Sequence, residues 1–358
     1  MTSTILFLLP YPLHRAPSQR FRVETYFDVL KKNHISFDAD VFLDEKASNI
    51  LYHKGSFLQK AAAVLRGYFR RLLLVVFKTR KYSHIFIHRE AAPLGPPIFE
   101  WWLIKVLRKK VIYDFDDAIW IPNVTETNKI TRSIKCFWKV KWICKWAYKV
   151  SVGNFFLADY ATQYNSNVVY NPTCVDAENK YNIIANHDAS DITIGWTGSH
   201  STIQFLEVGI PAIKKLKQQQ PFRFLVICDQ KPEFEIQSLQ FKCWRKETEI
   251  EDLAEIDIGI MPLKEDAWSE GKCGFKLIQY MALGIPAVAS AVGVNKRIID
   301  HGYNGYLCKT DEEWIAALTD LVQDKEKRTE WGKRGREKIL REYSVASNTP
   351  NFLSLFSN

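Results

Sequence analysis

Two doubly wound α/β domains facing each other across a cleft are the architecture the sequence predicts, and three observations carry that expectation. Short apolar runs alternate with helix-length segments along the chain, and strands separated by helices imply parallel sheets covered on both faces. The alternation runs down near residue 170 and starts afresh at 192, with the polar, aperiodic NPTCVDAENKYNIIANHDASD between. A length of 358 residues, 47% of them hydrophobic and 25% charged, is long for one core and ample for two.

The first strand is TILFLL at 4–9, closed by Pro10, which cannot donate to a ladder. It has no basic leader before it and so reads as a buried strand, not a signal peptide. Short β-branched or aromatic runs place further strands at 36–42, 84–88 (HIFIH), 110–114 (KVIYD), 149–152 and 168–170. Helices are expected over 19–32, 57–80, 97–108, 129–147 and 155–163. The second half repeats the scheme with strands at 192–196 (ITIGW), 222–227 (FRFLVI), 257–261 (DIGIM), 286–289 and 305–307. Its helices fall near 201–218, 250–254, 273–283, 295–300, 311–323 and 325–340. Residues 1–172 then make one domain, 173–190 a linker and 191–335 a second domain.

Composition excludes several classes. No run of 18 uncharged apolar residues exists, so no membrane span is expected. Seven cysteines, odd in number and without metal-type spacing, read as reduced thiols of a cytoplasmic protein. The net charge of +9 is unevenly spread: residues 1–180 hold 27 Lys and Arg against 15 Asp and Glu, while the remainder is slightly acidic. The first half therefore faces something anionic. A pI near 9.0 also raises nucleic acid as a partner, but no nucleic-acid module accompanies it, and none is expected to bind.

One stretch asks for a ligand. EGKCGFKLIQYMALGIPAVAS, residues 270–290, sets Glu270, Lys272 and Lys276 around the start of one helix and closes it with LGIP. A helix gains little from lysines in its first turn, where the backbone dipole is already positive, so an anion is expected in front of them. Lysines at i and i+4 share a helix face and would reach the same group.

This block, with four others in order, resembles the family 4 glycosyltransferases of the GT-B fold. The others are FIHREAAPLGPPIFEWWL, VIYDFDDAIW, VSVGNFFLADYATQYNSNVVYNPTCVD and ITIGWTGSHSTIQFL. The resemblance implies two Rossmann-like domains and retaining transfer of a sugar from a nucleotide diphosphate, UDP or GDP. The acceptor is expected to be a glycan or lipid-linked, in capsule or lipopolysaccharide synthesis. It implies that no metal or other cofactor is required, and that residues 336–358 return as a helix to the first domain. The usual E-x7-E pair is degenerate here: Gln279 stands in the ribose-contacting place and Glu270 is the nearest carboxylate for the sugar. The loop WTGSH lacks the family's Arg or Lys, leaving Gly198, Ser199 and backbone amides, with cationic help from Lys272 and Lys276.

On the acceptor side, Asp116 and Asp117 are expected to orient the acceptor hydroxyl or the transferring sugar. Metal ligation by this D-x-D-like run, or helix capping, are the alternatives. Arg20 is the expected anion contact after the first strand, with Arg22 and Arg15 in reserve. His88, Arg89 and Glu90 fall at the carboxyl end of a strand, where open α/β sheets bind ligands. Arg89 and Glu90 alternatively form a structural pair, and Asn154 alternatively only caps a helix. His200 is a candidate in the donor loop, against an ordinary surface histidine.

Two basic segments point to a surface. In 132–149, Cys136, Val140, Ile143 and Ala147 form an aliphatic stripe, opposite Trp138, Trp142 and Trp146 interleaved with Lys135, Lys139, Lys145 and Lys149. Segment 57–81 adds Arg66, Arg70, Arg71, Lys78, Arg80 and Lys81. Docking to the anionic inner face of the cell membrane is expected, against a solubilising surface with its tryptophans packed under a loop. A nucleotide-sugar epimerase on the same fold, and a binding subunit without catalysis, are the rival functions.

Overall fold

The computed structural model describes residues 4–52, 57–122, 134–187 and 191–357. The chain forms two compact units: residues 1–173 with 349–358, and residues 174–348.

In the first unit six parallel strands lie in the order β2-β1-β3-β4-β5-β6. They are β1 Thr4–Leu9, β2 Ser36–Val41, β3 His84–His88, β4 Lys110–Phe115, β5 Lys149–Val152 and β6 Val168–Tyr170. Register is continuous, for example Ile5 opposite His84 and Ile87 opposite Tyr113. The central strands are buried on both faces, as parallel sheets require. Strand order reverses between β1 and β3. The carboxyl ends there form the position at which such sheets take ligands.

The second unit orders its strands β12-β11-β10-β7-β8-β9, all parallel. These are β7 Thr193–Thr197, β8 Arg223–Cys228, β9 Leu239–Cys243, β10 Ile258–Met261, β11 Ala287–Ser290 and β12 Gly305–Cys308. Its reversal point lies between β7 and β10. Trp196, Ile213, Phe224, Ile260 and Leu318 centre one core.

The strand β9 is absent from the sequence reading. It is an edge strand, half exposed, whose LQFKC lacks the continuous apolar run that marks a doubly covered strand. The helices differ more. Helix 201–218 is broken into His200–Thr202, Ile203–Leu206 and Ile210–Gln219, because Gly209 and Pro211 start a new helix. Helix 57–80 is helical as Phe57–Leu73 and then widens to a π-turn at Leu74–Lys78; a second π-turn, Trp102–Val106, follows the helix Ile98–Trp101. Part of helix 129–147 lies outside the described residues, and its regular part is Lys139–Trp146.

The return to the first unit begins at Thr349, not at 336. The helix Lys325–Glu342 stays with the second unit, where Gly332 lies against the backbone of Gly284 and Trp331 against Tyr306, 4.8 Å between centroids. Beyond it, Phe352 stacks on Tyr26 at 3.9 Å, and Phe352 and Phe356 are both buried. Lys149 Nζ donates to the carbonyls of Ser354 and Ser357, a cation at the closing end of a helix.

A methyl group on Gly332 would stand 1.8 Å from the carbonyl oxygen of Gly284, with only backbone to give way. We expect Gly332→Ala to destabilise the second unit by about 1–3 kcal/mol, read as a lower urea midpoint with unchanged slope.

Candidate functional site

At the carboxyl end of β7 the chain turns through Gly198. A Cβ at this position would fall 2.3 Å from Cη2 of the buried Trp196, so only glycine lets the turn lie flat on the indole. Lys276 Nζ sits 5.4 Å from the centroid of that same ring. The helix that carries it, Phe275–Ala282, is tied to β7 because Thr197 N donates to Tyr280 Oη at 2.9 Å. Tyr280 in turn lies on bare Gly259 of β10. Gly198 and Lys276 are thereby brought together at the strand-order reversal.

Lys272 is placed otherwise than expected. The helix begins only after Gly274, which is left-handed at φ +68°, and Lys272 lies in the preceding turn. The two lysines therefore do not share a helix face. Lys272 Nζ instead stands 5.1 Å from the Trp268 ring and 5.9 Å from Phe205. Each lysine is lodged over an aromatic face, and both are half-buried. Glu270 ends the short helix Ala267–Glu270, which Asp266 caps through Ser269 N at 2.7 Å.

The loop amides are also spent differently. Gly198 N donates to Ile227 O at 3.0 Å, Ser199 N to Thr202 Oγ1 at 3.1 Å and His200 N to Asp229 Oδ1 at 2.6 Å. The expectation that this loop offers its amides to a ligand is corrected accordingly. His200 Nδ1 also meets Asp229 Oδ2 at 2.6 Å, so His200 is a clamp onto the end of β8. Burial pushes the Asp229 carboxyl up, but the His200 hydrogen bonds outweigh it and the net shift is down. Gln279 is buried, with Nε2 donating to Tyr181 Oη at 2.7 Å and reaching Glu249 Oε1 at 3.5 Å. Trp244 Nε1 donates to the same Glu249 oxygen at 3.2 Å.

The first unit gathers charge at the ends of β3 and β4. Arg22 and Asp114 form an ion pair with both side chains fully buried. Arg22 Nε donates to Asp114 Oδ2 at 3.3 Å, Ser151 Oγ donates to Oδ1 at 2.6 Å and His88 Nδ1 meets Oδ2 at 2.8 Å. Arg22 also donates to the carbonyl of Asn171. Burial alone would raise the Asp114 carboxyl, but Arg22 and His88 pull harder and hold it below the usual carboxylate range. Arg22 is thus structural and not the reserve anion contact, while Arg15 bonds Asn49 at 3.3 Å. Arg20 is half-buried with its guanidinium 4.9 Å from the Phe21 ring.

Arg89 is left-handed at φ +60°, and this kink at the end of β3 sends it and its neighbour apart. Its Nε and Nη2 reach Asp116 Oδ1 at 2.9 and 2.7 Å, and Nη2 also reaches Asp117 Oδ2 at 2.6 Å. Glu90 pairs instead with Lys139 at 2.6 Å, so Arg89 and Glu90 are not each other's partners. Burial pushes the Asp116 carboxyl up, yet Arg89, His88 and Arg22 overcome it and the net shift is strongly down. These positive neighbours favour the ionised, accepting form of Asp116. Among the described residues no three His, Cys, Asp or Glu are grouped to hold a metal ion. Asn154 is the buried N-cap of the helix Phe155–Thr162, accepting from Leu157 N at 2.8 Å.

The basic-aromatic segments take a mixed form. Lys139 and Lys149 are buried, on Glu90 with Ala92 O and on the terminal carbonyls respectively, and Arg71 is fully buried beside Asp40. Cys136 is left-handed and half-buried, so the core stripe is Val140, Ile143, Cys144 and Ala147. Residues 132–133 lie outside the described residues. What faces out is more apolar than the sequence implied: Phe57 is 83% exposed, Leu65 67%, Phe69 62% and Phe77 72%, joined by Trp101 and Trp138. Arg66, Lys78 and Lys145 are exposed among them. The elements adjoin, since Tyr68 packs on Phe99 at 5.9 Å and Gly95 N donates to Ile134 O at 2.7 Å.

Residues 191–324, the span that holds Gly198, Lys272 and Lys276, match the family described as Glycosyl transferases group 1. This span is a group 1 glycosyl transferase domain. A curated relative, N-acetyl-alpha-D-glucosaminyl L-malate synthase of Bacillus anthracis, is 32% identical over 72 residues, which are 20% of this chain and 19% of the relative. Solved structures resemble the whole chain. Sucrose-phosphate synthase from Thermosynechococcus elongatus has a TM-score of 0.69 at 13% identity, covering 99% of this chain and 98% of its own. A glycosyltransferase from Rickettsia africae scores 0.68 at 14% identity, covering 99% and 98%. Anabaena HepE in complex with UDP and glucose scores 0.67 at 13% identity, with both chains covered fully. The fold is GT-B, two parallel six-stranded sheets with helices.

Removing one partner of a buried ion pair leaves an uncompensated charge, at a cost of about 3–5 kcal/mol. We expect Asp114→Asn to destabilise the first unit on that scale. In the native protein the Asp114 contribution is complete above the ordinary aspartate value of about 3.9 and is lost as pH falls through the lower folded value. Acid unfolding followed by circular dichroism should therefore lose part of its steepness below about pH 4 in the variant.

Proposed function

We propose that the protein is a retaining glycosyltransferase. It moves a sugar from a UDP- or GDP-linked donor to a glycan or lipid-linked acceptor in cell-surface polysaccharide synthesis. One observation carries this reading: the group 1 match coincides with two half-buried lysines seated on aromatic rings beside an unsubstituted glycine at a strand-order reversal. The complex of Anabaena HepE with UDP and glucose supports a donor of that class.

In this reading Lys272 and Lys276 neutralise the diphosphate, most strongly as it departs and gains charge. Gly198 and Ser199 border it, Gln279 faces the ribose through its carbonyl oxygen and Glu270 accepts from the sugar. Asp116 and Asp117, held by Arg89, orient the acceptor hydroxyl, with His88 behind them; Arg20 supplies a further anion contact. Glu90 and Asn154 then serve by shaping the loops that carry this edge. The departing phosphate oxygen deprotonates the acceptor on the same face of the sugar. Neither a dedicated nucleophile nor a metal is needed.

No helix among the described residues is long and apolar enough to cross a membrane. The exposed phenylalanines, leucines and tryptophans of the first unit, set among lysines and arginines, support reversible docking on the anionic inner face of the cell membrane. A lipid-linked acceptor fits that placement.

Lys276→Ala and Lys272→Ala should each lower kcat by roughly 100-fold or more with a UDP- or GDP-sugar that the native protein uses. Unchanged turnover in both, with no thermal stabilisation by UDP or GDP, sinks the donor site. Sedimentation with anionic vesicles at low salt should bring the protein down, and Phe57→Ser with Phe69→Ser should release it. Each basic group adds about 1 kcal/mol to such binding, so high salt should release the native protein as well.

A further inference from the structure

Glu249 lies far from the donor block in sequence, yet it meets Gln279 of that block in the interior of the second unit. Gln279, Tyr181 and Glu249 are all buried. Gln279 Nε2 lies 2.7 Å from Tyr181 Oη and 3.5 Å from Glu249 Oε1. The three come from separate parts of the chain: Tyr181 precedes β7, Glu249 opens the helix Glu249–Ala254 and Gln279 sits in Phe275–Ala282. Both partners of Gln279 are held in turn. Arg336 Nη1 donates to the carbonyl of Tyr181 at 2.9 Å and also to that of Ala282, tying the Tyr181 segment to the end of the Gln279 helix. Trp244 Nε1 donates to Glu249 Oε1 at 3.2 Å, and Trp244 N is anchored on Cys228 O at 2.9 Å.

A glutamine amide can be turned over, exchanging its donor and acceptor ends with little change of shape. Tyr181 does not decide between the two, because a hydroxyl both donates and accepts. Glu249 does. An indole N–H only donates, so Glu249 Oε1 is an acceptor, and the end of Gln279 that faces it is the amino end. Both amide hydrogens are then directed into the protein, one to Tyr181 and one to Glu249. What remains is the carbonyl oxygen, which takes no hydrogen bond from the described residues. Gln279 follows Lys276 by three positions in one helix, and such residues are neighbours, about 5–6 Å apart at Cβ. An acceptor one turn along from a lysine that neutralises a diphosphate is within reach of the ribose hydroxyls of the same nucleotide.

We propose that Glu249 and Tyr181 are positioning residues that lock the Gln279 amide, so that it presents an acceptor alone and selects a ribonucleotide over its deoxy counterpart. The selection rests on the reading of Gln279 as facing the ribose. A freely turning amide would offer either end and discriminate less.

The test compares binding of UDP and GDP with that of their 2′-deoxy and 3′-deoxy forms by calorimetry. The native protein should bind a ribonucleotide roughly tenfold or more tightly than one of its deoxy forms, which leave the acceptor unpaired. Glu249→Leu and Tyr181→Phe should each lose most of that preference. Glu249→Gln, whose side-chain oxygen Trp244 can hold in the same place, should keep it. A merely structural role weakens all the nucleotides alike and leaves their ratio intact; that result, or no preference in the native protein, overturns the selection. The lock is read separately, without nucleotide. In protein labelled with ¹⁵N-glutamine, the side-chain hydrogens of Gln279, assigned by their loss in Gln279→Glu, should exchange with solvent about tenfold or more faster in Tyr181→Phe. Unchanged exchange overturns the lock. If exchange responds and no nucleotide binds, the donor reading fails, and the selection with it, while the lock stands.

Discussion

The ion pair of Arg22 with Asp114 is the constraint on which the ligand edge of the first sheet depends. Two opposite charges wholly removed from water are tolerable only when every remaining hydrogen-bonding position is filled. Here Ser151, His88 and the carbonyl of Asn171 fill them. The pair therefore fixes more than itself. It joins the helix after β1 to β4, reaches across to β5 and the end of β6, and sets the tautomer of His88. Asp116 and Asp117, next along the chain, then inherit a rigid base, and Arg89 spans them because its left-handed backbone turns it back over β4.

The second unit solves a different problem, that of keeping ammonium groups partly dry without burying them unpaired. Trp196 and Trp268 give each lysine an electron-rich face, and the same indole of Trp196 explains why position 198 has no side chain. The first unit uses carboxylates to immobilise its guanidinium groups; the second sets these two ammonium groups against rings.

The inner strands were legible from the sequence because doubly covered parallel strands are short apolar runs, as ITIGW and HIFIH are, and the edge strands at 36–42, 168–170 and 305–307 followed from the alternation with helices. LQFKC was not: it is a half-exposed edge strand with polar Gln240 and Lys242 breaking its apolar run. Glycine signals the helix breaks at Gly209 and Gly274, but a spacing of four residues reads as helical across Gly274, where the chain turns. The lysines of the donor block were thus recognised as a pair for a reason the fold does not share. Around the acidic run, FDDA announced its chemistry, whereas Arg22 is an ordinary residue in PSQRFR. Only strand order brings it to Asp114, 92 residues away in sequence. Lys139 and Lys149 show the same limit: helical periodicity put them outward, and tertiary partners drew them in.

The closing helix has a bearing on biosynthesis. Phe352 and Phe356 complete an aromatic cluster with Phe7, Tyr26 and Phe86 in the first unit's interior. Those three rings are made within the first quarter of the chain, yet their last neighbours leave the ribosome only after the whole second unit has been translated. The amino-terminal half must therefore wait on the tunnel with part of its apolar interior open, reversing the usual order in which the earlier-made domain finishes first.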